Sequence, residues 1–157
     1  MSRRRNSDAA QFLTVAAIVI AVDQLSKHAI VSRFMPGESR IVIPHLLKWT
    51  YEQNQHGAFG FFGSSPVLLI AMALVVLLIF WISFRDAART SRLIRVAFGL
   101  ILGGAIGNII DRLHFRYVVD FVDFYKIWPN IFNIADSCIT IGVALLILAS
   151  LATRRRA

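Results

Sequence analysis

Long apolar blocks alternate with shorter polar stretches along this chain. A transmembrane α-helix needs about 20 mainly apolar residues. Four blocks reach that length, at residues 12–31, 66–84, 93–113 and 131–152. No linker rich in Gly, Ser or Pro divides them. The pattern therefore predicts an all-α integral membrane protein with four transmembrane helices in one domain, residues 1–157.

The loop at residues 32–65 carries a second pattern. Residues 40–43 and 46–51 are rich in β-branched, aromatic and other apolar side chains, and a Pro-His pair separates them. These runs predict a small hairpin or sheet outside the membrane. Residues 57–63 include three phenylalanines, a composition typical of a segment at the membrane interface.

Basic residues outnumber acidic ones by 17 to 9, which gives a formal net charge of +8. Ten of the 17 lie in three clusters beside apolar blocks, at residues 3–5, 85–95 and 154–156. Such clusters are typical of cytoplasmic membrane anchors, so no nucleic-acid partner is expected. The positive-inside bias predicts both termini in the cytoplasm and the loops 32–65 and 114–130 outside.

That orientation places the polar residues of three spans at one depth. The outward-running first and third spans carry them late, and the inward-running fourth span carries them early. The set consists of Asp23, Lys27, Asn108, Asp111, Arg112, Asn133 and Asp136. An ionisable group within a span costs on the order of 2.5–3.5 kcal/mol. The shared depth therefore predicts one functional site near the outer leaflet.

Structural alternatives stay open for some members of this set. Asp23 and Lys27, four residues apart on one helix face, could simply neutralise each other near the interface. Asn108, Asp111 and Arg112 could mark a helix end, with the Arg112 side chain reaching outwards to water.

Asp120 and Asp136 form the sharpest candidate pair. Asp120 follows the third span, Asp136 lies near the start of the fourth, and each lies among apolar residues. Two carboxylates in one pocket of low dielectric cannot both ionise easily, so one keeps its proton. Such a pair suits peptide hydrolysis, because the ionised member activates water and the protonated member polarises the carbonyl. Asp123 is a rival for Asp120, with a similar environment.

Other hydrolytic schemes fit the sequence less well. There is no His-Glu-x-x-His motif, the four histidines lack ligand spacing, and Cys138 is the single cysteine, so no metal site is expected. Ser26 and Lys27 are neighbours, and neighbouring side chains on a helix point about 100° apart, which argues against a Ser-Lys dyad. The glycines of residues 103–107 are more typical of close helix packing than of a phosphate loop.

Five short motifs occur in order along the four spans. They are Asp23-Gln24-Leu25-Ser26-Lys27, Asn54 with Phe59, Gly-Gly-Ala-Ile-Gly-Asn-Ile-Ile-Asp-Arg at residues 103–112, Val118-Val119-Asp120-Phe121, and Phe132-Asn133-Ile134-Ala135-Asp136. With these motifs the chain resembles bacterial lipoprotein signal peptidases, also called signal peptidase II, over essentially its whole length.

The resemblance implies four transmembrane helices, a small extracytoplasmic β-cradle and an amphipathic segment at the outer surface of the bacterial inner membrane. It implies cleavage of diacylglyceryl-modified prolipoproteins just before the lipidated cysteine, with Asp120 and Asp136 as catalytic residues. The supporting positions that it implies are Asp23, Lys27, Asn54, Asn108, Asp111, Arg112, Asn133 and Ala135. It implies contact with membrane lipid, inhibition by globomycin-type peptides and no metal or organic cofactor. A monomer is expected, because the four spans hold the whole site.

The chain departs from the family pattern in two loops. His56 stands where the family commonly has glycine. Arg116 stands where the family usually has glycine, four residues before the first catalytic aspartate. Both departures concern loop conformation and substrate preference, and they leave the aspartates unchanged.

Two other functions stay open from the sequence. A small proton-coupled multidrug exporter would use Asp23 or Asp136 as its proton site, but the near-symmetric charge typical of such exporters differs from the strong inside bias here. A lipid-binding or scaffold protein would use the polar residues only to hold helices together.

Overall fold

A computed structural model of the protein describes residues 2–56, 65–88 and 91–154. Four helices in these residues are long and apolar enough to cross a membrane. They are α1 (Ser2–Val31), α2 (Pro66–Ala88), α3 (Arg92–Phe115) and α4 (Ile134–Arg154). The prediction of four transmembrane helices is therefore confirmed. The expected aromatic segment at residues 57–63, with Phe59, lies outside the described residues.

Two helices begin at other residues than the predicted spans. α1 begins at Ser2, and its part that is apolar enough to cross a membrane, Ala10–Val31, agrees with the predicted span 12–31. α4 begins at Ile134 rather than at residue 131. The later start has a local cause, because Phe132 forms a β-bridge and Asn133 caps the helix.

Strands from the two predicted outer loops form one antiparallel sheet. They are β1 (Ser39–Ile43), β2 (Leu47–Asn54) and β3 (Val118–Asp123), in the order β1-β2-β3. β1 and β2 form the predicted hairpin, with its turn at residues 44–46. The sequence did not predict β3. All of its residues are buried, so it lacks the alternation that identifies a half-exposed strand.

α3 packs between α1 and α4, and glycines allow the close approach. A Cβ atom added at Gly103 would lie 2.7 Å from the carbonyl oxygen of Ala16 on α1. A Cβ atom added at Gly104 would lie 2.5 Å from the carbonyl oxygen of Ala135 on α4. Any larger residue at either position would therefore push a helix away. Small residues at helix contacts are common within membranes, where they let backbones approach closely.

Two clusters of buried apolar side chains fix the sheet and the helices. The first lies where α1 meets the sheet, and its buried members are Ile30, Tyr51, Val119, Phe121 and Val122. The second lies between α3 and α4, and its buried members are Ile94, Ala97, Phe98, Ile101 and Leu146. The first cluster holds β3 against the end of α1.

Many large apolar side chains of α2 are exposed instead, which suits contact with lipid acyl chains.

The link between α3 and β3 contains a backbone conformation that favours glycine. Arg116 has φ 71° and ψ 1°, in the left-handed region. Its N–H donates to the carbonyl oxygen of Arg112 and so ends α3. A residue other than glycine costs roughly 1–2 kcal/mol in this conformation. The departure from the family glycine therefore places a strained residue just before β3.

Replacing Arg116 with glycine is expected to stabilise the fold. Arg116→Gly removes the steric cost of the left-handed backbone, so we expect the free energy of unfolding to rise by about 1 kcal/mol and Tm by about 2–4 °C. His114→Gly, within α3, is the matched control and is expected to lose about 1 kcal/mol through helix propensity. Thermal unfolding in detergent measures both variants. Equal losses would show that the Arg116 backbone is not strained.

Candidate active site

The start of α4 fixes one of the two candidate aspartates. Asn133 lies just before the helix, and its Oδ1 accepts a hydrogen bond from the Asp136 N–H at 2.9 Å. In return, Asp136 Oδ2 accepts from the Asn133 N–H at 3.4 Å. This is a capping box built from Asn and Asp in place of the usual Ser/Thr and Glu/Gln. It satisfies N–H groups that the helix leaves free and gives the Asp136 side chain a defined direction.

β3 carries the other candidate, Asp120, which is 2% exposed. Its Oδ2 accepts from Asn54 Nδ2 at 2.8 Å, and its Oδ1 accepts from Asn133 Nδ2 at 2.6 Å. Burial and, next, the charge of nearby Asp136 raise the pKa of Asp120 to about 7, although the two amide hydrogen bonds oppose the rise. A carboxyl group with this pKa can gain or lose a proton near neutral pH, as acid–base catalysis requires.

Two asparagines connect the aspartates. Asn133 is hydrogen-bonded to both of them. Asn108 on α3 donates from Nδ2 to Asp136 Oδ1 at 2.8 Å, and its Oδ1 accepts from Asn133 Nδ2 at 3.2 Å. The structure therefore brings Asp120 and Asp136 into one hydrogen-bond network, to which α3, β3 and the start of α4 each contribute.

A buried cation, Lys27 of α1, joins this network. Its Nζ lies 2.8 Å from Asp23 Oδ2 and 2.9 Å from Asp111 Oδ2, and it donates to Asn108 Oδ1 at 3.0 Å. The side chains of Asp23, Lys27 and Asp111, called the triad below, are at most 3% exposed. Asp23 and Lys27 are therefore more than a self-neutralising pair on one helix, because Lys27 also binds two side chains of α3.

The two carboxylates of the triad also hold the backbone beside each candidate aspartate. Asp23 Oδ1 accepts from the N–H of Ala135, the residue before the α4 aspartate, at 2.9 Å. Asp111 Oδ2 accepts from the N–H of Val119, the residue before the β3 aspartate, at 3.0 Å. Each segment that carries a candidate aspartate is therefore tied to the same ammonium group through one carboxylate.

Gln24 belongs to this network as well, although the sequence did not identify it as a site residue. Its Nε2 donates to Asp111 Oδ1 at 3.0 Å, and to Asp23 Oδ2 and the carbonyl oxygen of Gly107 at 3.2 Å each. A polar amide beside Asp23 in the outer half of a span was the available signal. Gln24 adds a third link between α1 and α3.

Arg112 lies beside the site and does not simply extend to water. Its Nη1 donates to the carbonyl oxygen of Asn108 at 3.2 Å. Its charge interacts with three carboxylates, those of Asp136, Asp120 and Asp111. Its Nε is buried without a hydrogen-bond partner among the described residues. The guanidinium group thus adds positive charge next to the aspartates.

Asp123, the rival of Asp120, has different partners. Its Oδ2 accepts from Thr50 Oγ1 at 2.9 Å and lies 3.2 Å from Lys48 Nζ. Residues three apart on a strand point to opposite faces of the sheet, so Asp120 and Asp123 cannot serve the same site. The contacts of Asp123 join β3 to β2 instead.

Comparison with known proteins gives this arrangement a context. The family model described as signal peptidase (SPase) II matches residues 15–152. The chain belongs to the signal peptidase II family. It is therefore a peptidase, and the family together with the four apolar helices makes it a multi-pass bacterial membrane protein. Nothing in these comparisons supports the exporter interpretation.

Relatives and solved structures cover most of the chain. A lipoprotein signal peptidase of Moorella thermoacetica is 42% identical over 135 residues, which cover 86% of this chain and 89% of the relative. One of Chlorobium phaeobacteroides is 44% identical over 149 residues, with coverage of 87% and 88%. A solved structure described as a bacterial membrane enzyme shares 35% identity with this chain at a TM-score of 0.82. The match covers 91% of this chain and 88% of the chain in that structure. A second structure with the same description has a TM-score of 0.79 at 35% identity, with coverage of 90% and 93%.

Removing the charge of Lys27 is expected to destabilise the protein strongly. Lys27→Met leaves Asp23 and Asp111 as uncompensated buried carboxylates, so we expect the free energy of unfolding to fall by about 3–5 kcal/mol. Lys48→Met is the matched control. Its ion pair with Asp123 spans 3.2 Å and the Lys48 side chain is 27% exposed, so its loss should cost about 1 kcal/mol. Thermal unfolding in one detergent compares the two, and similar Tm values would contradict a central role for the triad.

Proposed function

We propose that the chain is an intramembrane aspartic endopeptidase. It removes signal peptides from diacylglyceryl-modified prolipoproteins by cleaving N-terminal to the lipidated cysteine. Membership of the signal peptidase II family and relatives named lipoprotein signal peptidase support the removal of signal peptides from lipoproteins. The observation that carries the mechanism is the pair formed by buried Asp120 and half-buried Asp136, held by shared asparagine partners.

The pair performs general acid–base catalysis with one shared proton. The ionised carboxylate takes a proton from water, and the resulting hydroxide attacks the carbonyl carbon of the scissile bond. The protonated carboxyl donates a hydrogen bond to the carbonyl oxygen of the scissile bond, which gains negative charge in the transition state. The proton removed from water then passes to the nitrogen of the lipidated cysteine as the C–N bond breaks. Burial of Asp120 favours the protonated form that this scheme requires.

The remaining site residues orient the pair and shape its electrostatics. Asn54, Asn108 and Asn133 hold the carboxylate oxygens through amide donors. The triad and the Ala135 N–H hold the backbone that carries them. Arg112 supplies positive charge beside both carboxylates. Exact orientation matters, because misplacement of a catalytic group by about 1 Å can cost about 100-fold in rate.

The location of the site in the membrane follows from the same proposal. Basic clusters beside the spans favour both termini in the cytoplasm of the bacterial inner membrane, with the sheet outside and the aspartates near the outer leaflet. A diacylglyceryl group anchors its substrate in the bilayer, so the scissile bond lies near that interface. The protein acts as a single membrane-embedded domain and a monomer, contacts membrane lipid, and is the target of globomycin-type inhibitors.

Isosteric substitution of either aspartate tests the mechanism. Asp120→Asn and Asp136→Asn are each expected to slow cleavage of a purified diacylglyceryl prolipoprotein by at least about 10³-fold, because neither amide can transfer the proton. Asp123→Asn is the matched control, since it also changes a buried aspartate of β3. It is expected to stay within about threefold of wild type. A gel-shift assay measures cleavage, and thermal unfolding checks the fold. Activity that survives in either test variant would mean that the pair is not catalytic.

The pH dependence of cleavage tests the protonation state of Asp120. Its pKa is about 7, so above that pH the pair loses its shared proton and kcat/KM should fall. Asn54 donates to the Asp120 carboxylate and thereby lowers its pKa. Asn54→Ala should therefore raise the pKa and move the alkaline fall to higher pH. Gln53→Ala, which removes an amide bonded to Tyr117 instead, should leave the fall in place. A shift towards lower pH in Asn54→Ala would contradict the assignment.

A further inference from the structure

Gly107 of α3 leaves room for the Asp23 carboxylate. A Cβ atom added at Gly107 would lie 2.6 Å from Asp23 Oδ2 and 3.2 Å from Asp23 Cγ. It would lie 3.6 Å from the Cβ atom of Ala135, an ordinary contact. The space that glycine leaves at this position is therefore occupied by the Asp23 carboxylate. It does more than allow two helix backbones to approach.

The position of Asp23 matters because its two oxygens have different partners. Oδ2 pairs with Lys27 Nζ at 2.8 Å, and Oδ1 accepts from the N–H of Ala135 at 2.9 Å. The Ala135 N–H is one of those that α4 leaves free at its start. A displaced carboxylate could not keep both contacts, so the first turn of α4, with Asp136, would lose its link to α1.

The β3 side of the site is tied to the same cation. Asp111 Oδ2 pairs with Lys27 Nζ at 2.9 Å and accepts from the Val119 N–H at 3.0 Å. The triad therefore connects the backbone N–H before Asp136 to the backbone N–H before Asp120. Moving one carboxylate changes the separation of the two aspartates.

We propose that Gly107 is a positioning residue for the peptidase reaction, and that it acts through Asp23. Its bare backbone seats the carboxylate that fixes the first turn of α4, and thereby the placement of Asp136 relative to Asp120. This inference rests on the proposed function of the two aspartates. It separates Gly107 from Gly103, one turn earlier on the same face of α3.

Gly103 provides a matched control because it is at least as crowded as Gly107. A Cβ atom there would lie 2.7 Å from the Ala16 carbonyl oxygen and 2.7 Å from Val19 Cβ, which belong to the α1 backbone and an apolar side chain. None of these contacts involves the triad. Gly103→Ala therefore disturbs helix packing alone, whereas Gly107→Ala disturbs packing and also displaces Asp23.

The first test compares the two variants in the full chain. Gly107→Ala is expected to lower kcat for a diacylglyceryl prolipoprotein by about 100-fold, with KM within about threefold of wild type, since a small misplacement of a catalytic group has this effect. Gly103→Ala is expected to lower Tm by at least as much and to keep kcat within about threefold. Equal losses of kcat in both variants, or an unchanged kcat in Gly107→Ala, would overturn the inference.

A double-mutant cycle tests whether Gly107 acts through Asp23. In an Asp23→Ala background there is no carboxylate to displace, so adding Gly107→Ala should lower kcat by no more than about twofold further. The double variant should also be as stable as Asp23→Ala, even if Gly107→Ala alone does not fold. A further loss of about 100-fold in the double variant would show that Gly107 acts elsewhere.

Asp120→Asn in the same assay separates this inference from the proposed function. If Asp120→Asn still cleaves, the catalytic assignment is wrong, whatever the glycine variants do. If it is inactive, the comparison of Gly107→Ala with Gly103→Ala concerns the positioning role alone.

Discussion

The buried ammonium group of Lys27 is the interaction on which the site depends. Removing a charge from water costs several kcal/mol, and a buried carboxylate is retained only where opposite charge and hydrogen bonds compensate it. Asp23 and Asp111 both receive that compensation from Lys27. The two carboxylates also accept from backbone N–H groups, Asp23 from Ala135 and Asp111 from Val119. The same contacts therefore neutralise the buried charge and hold the segments that carry the two candidate aspartates.

Close helix packing makes this arrangement possible. Lys27 of α1 reaches Asp111 of α3 where the two helices approach closely, and Gly107 on that face of α3 leaves room for the Asp23 carboxylate. Association of helices in lipid lacks the hydrophobic driving force that acts in water, so packing and interhelical hydrogen bonds carry it. The polar network thus contributes to assembly of the helices as well as to chemistry. This coupling explains why so few residues outside the spans, such as Asn54 and Asp120, complete the site.

The sequence predicted the members of the site better than their arrangement. Basic clusters predicted an orientation, and the depth that follows from it grouped Asp23, Lys27 and Asn108, which the structure finds in contact. It could not predict β3, because a strand buried on both faces shows no alternation. Nor could it predict which backbone N–H groups meet the triad, since side-chain patterns do not encode the backbone positions of distant segments. The strain at Arg116 became visible only once its φ angle was known.

Asparagine amide groups lie between the Lys27 ammonium group and the two aspartates, and they keep the cation out of direct contact with Asp120. A lysine in direct contact with Asp120 would hold it ionised and remove the proton that the proposed mechanism requires. Lys27 instead contacts Asn108, which bonds to Asp136 and Asn133, and neutral amides reach the carboxylates. Among the causes that shift the pKa of Asp120, burial is the largest and the charge of Lys27 the smallest. The asparagines thus connect the aspartates to the triad through neutral hydrogen bonds, so they fix the position of the aspartates without placing a positive charge against them. Asp120 can therefore still exchange a proton near neutral pH, although charged residues lie nearby.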